Sequence, residues 1–239
     1  MDTILIFFII ILVASVLQTS TGFGFSILAT PFLLMIFEAR EAIQINLILS
    51  LVISCALIYK IFKDIDYGAL KRLIIGSVAG LPIGIIIFLL LDMNKLKLSI
   101  SIIILILTLL LIFNVRIRQT KGRDITVGGL SGLLTTSIGM PGPPLLLYFS
   151  GIGSEKEKLR ATTLAFYLFI YFFSLLIQVA FAGTNKTIWI SSGYAVPIVV
   201  IGLFVGQLLF SKINQRLFRI FTYIILLFTG FYLLVESLK

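Results

Sequence analysis

Two stretches decide how this chain folds: Thr19-Ser-Thr-Gly-Phe-Gly-Phe-Ser26 and Thr135-Thr-Ser-Ile-Gly-Met-Pro-Gly-Pro-Pro144. Each interrupts a long apolar run, the first at 4–37 and the second at 125–150. The first run is too long for one straight crossing. In the second, the break leaves arms of about a dozen residues or fewer, which reach about halfway across a hydrocarbon core. Irregular backbone at such a depth is tolerated only where it is buried in protein or lines a cavity. Each run is therefore either one kinked crossing or a re-entrant hairpin that dips to the midplane and returns.

Outward from these breaks, further apolar runs fall at 42–59, 70–91, 98–115, 161–182, 191–211 and 217–235. Of the 239 residues, 59% are hydrophobic and 12% charged, so a soluble domain of this length could not cover its surface with polar groups. The expected fold is all-α, a polytopic integral membrane protein with about eight hydrophobic segments. Arg116-Ile-Arg-Gln-Thr-Lys-Gly-Arg-Asp124 is the most polar stretch and divides the chain almost in half. This gives a first transmembrane repeat at 1–115, a cytoplasmic linker at 116–123 and a second repeat at 124–239. The halves match in order. Besides the two glycine-rich stretches, Glu38-Ala-Arg-Glu-Ala-Ile-Gln-Ile-Asn-Leu47 aligns with Glu155-Lys-Glu-Lys-Leu-Arg-Ala-Thr-Thr-Leu164, and Gly80-Leu-Pro-Ile-Gly84 with Gly202-Leu-Phe-Val-Gly206. Internal repeats of this kind are typical of transporters.

The placement of charge bears on the choice between kinks and hairpins. Eight single crossings divide the 19 Lys/Arg ten to nine, which favours no orientation. With two hairpins and six crossings, only Arg40, Lys95, Lys97, Lys186 and Lys239 share the side of the N-terminus, and the other 14 of the 19 lie opposite. The hairpin arrangement is therefore expected, with both termini outside and halves of inverted topology, each a broken first element followed by three helices. Because the basic residues sit at the ends of apolar runs, the net charge of +9 orients segments and does not point to nucleic acid.

At each tip the second arm starts with a half-helix N-terminus, whose free N–H groups carry partial positive charge. Glycines let a ligand approach the backbone, and nearby hydroxyls add donors. The expected substrate contacts are Thr19, Ser20, Thr21, Gly22, Phe23, Gly24, Phe25 and Ser26 at the first tip. At the second they are Thr135, Thr136, Ser137, Gly139, Met140, Pro141 and Gly142, with Asn46 and Thr163 flanking. This pattern suits a small anion. A packing role competes with it, since Gly, Ser and Thr also serve close helix contact; Gly76-x3-Gly80-x3-Gly84 and Gly202-x3-Gly206 read as packing faces. Gln18, Gln178 and Gln207 are polar inside apolar runs and fit either role. Arg160, at the cytoplasmic start of its helix, could attract anions, but reads first as a topology charge.

The chain has no His, and no acidic or basic residue deep in a run, so a carboxylate proton relay is disfavoured. Parts for a metal-dependent or Cys/His enzyme are missing as well, and no metal, cofactor or catalytic residue is expected. Cys55, the one cysteine, reads as a small apolar residue in a helix. Met1-Asp2-Thr3 lacks the basic region of a signal peptide, so the first run is expected to be kept.

Thr21-Gly-Phe-Gly-Phe-Ser-Ile-Leu-Ala-Thr-Pro31 and Gly139-Met-Pro-Gly-Pro-Pro-Leu145 resemble the two glycine-rich segments of the TauE/SafE sulfite exporter family, also called the toluene sulfonate uptake permease family. The resemblance extends over nearly the whole chain, although the family's fuller glycine run is reduced here to Gly22-Phe23-Gly24. It implies a transporter of sulfite, organosulfonates or related oxyanions, often outward, in a prokaryotic plasma membrane. The partners to expect are a small anion and the lipid bilayer, with a homodimer admissible. An anion channel using the same tips as a filter is the alternative.

Overall fold

The structure, a computed structural model, describes residues 2–90, 92–113, 119–150 and 155–210, with isolated positions between 223 and 237. Among these residues all regular structure is helical: α1 (Asp2–Thr21), α2 (Phe25–Leu33), α3 (Ala39–Ile61), a 3-10 turn (Phe62–Asp64), α4 (Tyr67–Leu90), α5 (Met93–Ile112), α6 (Lys121–Ile138), α7 (Gly142–Ser150), α8 (Lys156–Ala182) and α9 (Lys186–Phe210). Five are long and apolar enough to cross a membrane: Ile4–Thr21, Ala39–Asp64, Tyr67–Leu90, Lys156–Ala182 and Lys186–Phe210. Most of the run expected at 217–235 lies outside the described residues, as do Arg116, Arg118, Lys212, Arg216, Arg219 and Lys239.

The side chains are distributed inside-out relative to a soluble bundle. Ile4, Leu5, Ile9, Ile75, Val78, Ile86, Phe204 and Leu208 are exposed, whereas Gln18, Thr19, Asn46, Thr136, Thr163 and Gln178 are buried. An apolar exterior around a polar interior suits lipid as the solvent. The chain is thus a polytopic helical membrane protein.

Both runs that the sequence marks as interrupted are broken helices, but the arms are unequal. α1 has 20 residues and α6 has 18, against 9 each for α2 and α7. The long arm of the second break, α6, exceeds the dozen residues expected, because hydroxyl side chains near the break remain helical and the chain turns only at a positive-φ glycine. At about 1.5 Å per residue α1 spans about 30 Å, a full hydrocarbon thickness, and α2 about half of that. Each short arm returns beside its long arm. Phe37, just after α2, packs edge-on against Phe7 near the start of α1 (centroids 5.5 Å apart). The Tyr148 hydroxyl near the end of α7 donates to Asp124 near the start of α6.

Glycine seams join the halves. A Cβ on Gly76 would lie 1.9 Å from the Ile125 carbonyl oxygen, and one on Gly80 2.1 Å from that of Gly129, so α4 and α6 meet backbone to backbone. Added Cβ atoms on Gly202 and Gly206 would likewise come within 2.4 Å and 2.6 Å of the Cβ atoms of Ser15 and Thr19, which brings α9 onto α1. These are the packing faces read from sequence. The long arm of each break therefore packs on the fourth α-helix of the other half. Equivalent features also keep register: α2 and α7 start 117 residues apart, at Phe25 and Gly142, as do the N-caps of α3 and α8, Glu38 and Glu155.

Polar contacts tie the loops in two separate groups. Lys158 pairs with Asp66 at 3.0 Å, and the Asp66 N–H donates to Thr162 Oγ1 at 2.9 Å. Asn185 Nδ2 donates to Glu41 Oε1 at 2.7 Å, and Gln44 Nε2 to the Gly183 carbonyl at 2.9 Å.

Candidate functional site

The two helix breaks are built differently. α1 ends where the Gly22 N–H donates to the Gln18 carbonyl at 2.8 Å, and Gly22 takes φ 88°. Gly24, at φ 120°, is the N-cap of α2 and has no side-chain cap. α6 ends on Gly139 at φ 72°, whose N–H donates to the Thr135 carbonyl while that of Met140 reaches the Leu134 carbonyl. This pair of bonds is the αL glycine stop that satisfies the last carbonyls of a helix. Positive φ is needed at Gly22, Gly24 and Gly139 but not at Gly142.

Donor supply is lopsided too. The first turn of α2 offers the N–H groups of Phe25, Ser26 and Ile27, since its first helical bond is from Leu28 N–H to the Gly24 carbonyl. α7 begins Gly142-Pro143-Pro144, and proline has no N–H. The second tip therefore presents fewer of the free N–H groups, and less positive backbone, than the sequence pattern leads one to expect at each tip.

Of the hydroxyls expected to meet an anion, several already donate to their own helix. Ser20 bonds the Val16 carbonyl at 2.7 Å, Thr21 that of Leu17 at 2.7 Å, Thr135 that of Ser131 at 2.5 Å and Ser137 that of Leu133 at 2.7 Å. Each holds the proton an anion would need. Thr136 shares a hydrogen bond with Ser174 at 2.9 Å, and its carbonyl accepts from Gln178 Nε2 at 2.7 Å. Ser26 accepts from the Tyr171 hydroxyl at 3.4 Å, and the Pro141 carbonyl accepts from Ser131. Asn46 Nδ2 donates to the Gly139 carbonyl at 2.7 Å, which fixes the cap of α6 to α3. Phe23, Phe25 and Met140 are buried apolar neighbours of the breaks.

Several buried polar atoms have no protein partner: both amide atoms of Gln18, the Thr19 and Thr163 hydroxyls, Asn46 Oδ1, the Tyr167 hydroxyl and Arg160 Nε. Leaving such groups unpaired is costly, and around two helix breaks they form a set of groups able to bind a polar ligand. Tyr167 reaches the second break, its hydroxyl 3.2 Å from a Cβ built on Gly142. Thr19 lies against α9 at Gly206.

Sequence reading missed Tyr167, Tyr171 and Ser174. The signal was present: Thr163, Tyr167, Tyr171, Ser174 and Gln178 recur every three or four residues and so share one face of α8. That face runs past both breaks. Arg160, read as a topology charge, begins the same stripe and is buried.

Broken helices in a membrane bundle, with a polar interior at the breaks, define a membrane transporter class. The model of the family described as Sulfite exporter TauE/SafE matches residues 7–233, and the chain belongs to that family. No curated protein and no solved structure gives a significant match.

Proposed function

We propose that this protein is a secondary carrier, an exporter, of small sulfur-containing anions such as sulfite or organosulfonates, working by alternating access around the two helix breaks. The observation that carries the reading is the set of buried, unpartnered polar groups on the elements that form those breaks and on α8 beside them, Gln18, Thr19, Thr163 and Tyr167. An anion supplies the acceptors that these N–H and O–H donors lack. In a low-dielectric interior such bonds count for more than in water.

The halves, 1–115 and 124–239 with the linker 116–123 on the cytoplasmic side, are read as inverted repeats in the plasma membrane of a prokaryote. Three observations support the inverted repeat. The long arm of each break packs on the other half's fourth α-helix, the equivalent caps keep a constant spacing, and the loops group as Asp66 with Lys158 and Glu41 with Asn185. That grouping fits two re-entrant hairpins with six crossings. Rocking of one half against the other would then expose the breaks to each side in turn.

Flux from proteoliposomes tests the reading. Loaded sulfite or a simple sulfonate should leave faster when the same anion is present outside, because a carrier returns faster when occupied. Efflux indifferent to outside substrate, with unitary currents, would instead identify an anion pore. No efflux of any of these anions would overturn the function.

A further inference from the structure

Arg160 is 4% exposed, although the basic residues beside it in the first turn of α8, Lys156 and Lys158, are 42% and 52% exposed at their side chains. A charge that only orients a helix reaches for water; this one is folded inward. Its Nη2 donates to Gln207 Oε1 at 2.8 Å, its guanidinium lies over the Phe210 ring at 4.2 Å, and its Nε has no acceptor. Among the described residues, no carboxylate forms an ion pair with it. Glu157 attracts it through space but pairs with Lys156, and an amide oxygen and a ring face do not neutralise a full charge, so no anionic group meets the guanidinium directly.

The side chain also lies at the first helix break. A Cβ on Gly22 would be 2.9 Å from Arg160 Cα and 3.1 Å from its Cγ. The equivalent contact at the second break is from Gly139 to Ile43 Cγ2, 3.3 Å away. Arg160 and Ile43 each lie five residues beyond an N-cap glutamate, Glu155 and Glu38. The duplicated scaffold therefore holds an arginine at one break and an isoleucine at the other. The cation is found beside the break whose α2 N-terminus carries N–H donors, and not beside the proline-started α7.

We propose that the Arg160 guanidinium is the charge-compensating ligand of the transported anion, binding two oxygens of a sulfonate- or sulfite-type group at the Gly22 break. The planar fork of arginine matches a pair of oxygens on one central atom, which a lysine ammonium cannot reproduce. Thr163, three residues on along the same face, has an unpartnered hydroxyl that can donate to a third oxygen. The site so built selects for negative charge, and its one-sidedness makes the two breaks unequal steps on the route. This assignment rests on the anion-carrier reading.

The test compares methanesulfonate with dimethyl sulfone, a neutral molecule of similar size, binding to purified full-length protein. Wild type should prefer the sulfonate. Arg160→Gln, if monodisperse, should lose at least about tenfold in sulfonate affinity, with sulfone binding unchanged. Arg160→Lys keeps the charge and should keep the preference at reduced affinity. Sulfonate binding by Arg160→Gln within about twofold of wild type would overturn the assignment and leave the carrier reading intact. Should the Gln variant not fold, a folded Arg160→Lys that binds the sulfonate within about twofold of wild type would overturn it equally. Wild type that binds neither methanesulfonate nor sulfite would sink the carrier reading itself, and the assignment with it.

Discussion

Asn46 Nδ2 donates a 2.7 Å hydrogen bond to the carbonyl oxygen of Gly139, joining α3 of one half to the αL glycine that stops α6 in the other. Both groups are buried, and the two residues are 93 positions apart in sequence. The bond fixes the turn from which α7 starts, so the second break takes its geometry from a side chain of the first half. Asn46→Leu removes the donor and leaves that carbonyl unpaired. Interhelical hydrogen bonds in membranes are worth about 0.6–2 kcal/mol, so the variant should melt measurably earlier in detergent and lose most of its flux. Unchanged melting would mean that the cap is held by other contacts.

Gly22→Val should abolish transport while leaving membrane insertion intact. Valine is strained at φ 88°, and its Cβ would meet the Arg160 backbone at 2.9 Å. The crossing helices do not depend on this residue, so the variant should reach the membrane fraction in normal amount. Gly193→Val is the control, because no neighbour lies within 4 Å of a Cβ there. Flux measured alongside membrane abundance separates the two; normal flux for Gly22→Val would count against the first break as a site.

Neighbouring glycines on the α4–α6 seam should respond in opposite ways. A Cβ at Gly80 would lie 2.1 Å from the Gly129 carbonyl oxygen, whereas one at Gly129 would lie 3.4 Å from that of Gly76, an ordinary contact. Gly80→Ala should force the backbones apart and cost about 1–3 kcal/mol, seen as a lower melting temperature and reduced yield. Gly129→Ala should change little. Equal behaviour of the pair would show that the seam is looser than its geometry.

Asp66 gives a pH dependence with a definite sign. Its carboxyl is held below the usual carboxylate range, first by the Ala69 N–H and then by Lys158. A depressed folded value means that its stabilising contribution is complete above the ordinary carboxylate range. It is lost as pH falls through the depressed value. Asp66→Asn should therefore melt below wild type near neutrality, and the gap should close in acid. A gap that stays constant on acidification would assign the effect to packing.

How much of this was legible in the sequence depended on the kind of signal. Apolar runs and glycine spacing report directly on which segments meet lipid and which backbones touch, so Gly76, Gly80, Gly202 and Gly206 were read correctly as seams. Arm lengths were not legible: Ser and Thr near a break look like loop residues, yet Ser20, Thr21 and Ser137 close hydrogen bonds on their own helices and extend them. The same bonds remove those hydroxyls from the donor set, which sequence cannot reveal. The burial of Arg160 is not legible either, because a buried and a snorkelling arginine look identical at a helix start. Only the neighbourhood of Gly22 distinguishes them.

The loop contacts lead to a direct test of topology. Asp66 meets Lys158, and Asn185 meets Glu41. With two hairpins, the loop at Lys63 and the loop at Asn185 lie on opposite faces of the membrane. With eight single crossings they share a face. Cys55 is the only cysteine, so a Cys55→Ser background leaves single reporters clean. Lys63→Cys and Asn185→Cys are both in polar connections away from the breaks and should fold. In intact cells an impermeant maleimide should label Asn185→Cys, while Lys63→Cys should react only after permeabilisation, since the face rich in Lys and Arg is the cytoplasmic one. Labelling of both in intact cells, or of neither, would rule out the inverted arrangement, and the two breaks could no longer approach a common site from opposite faces.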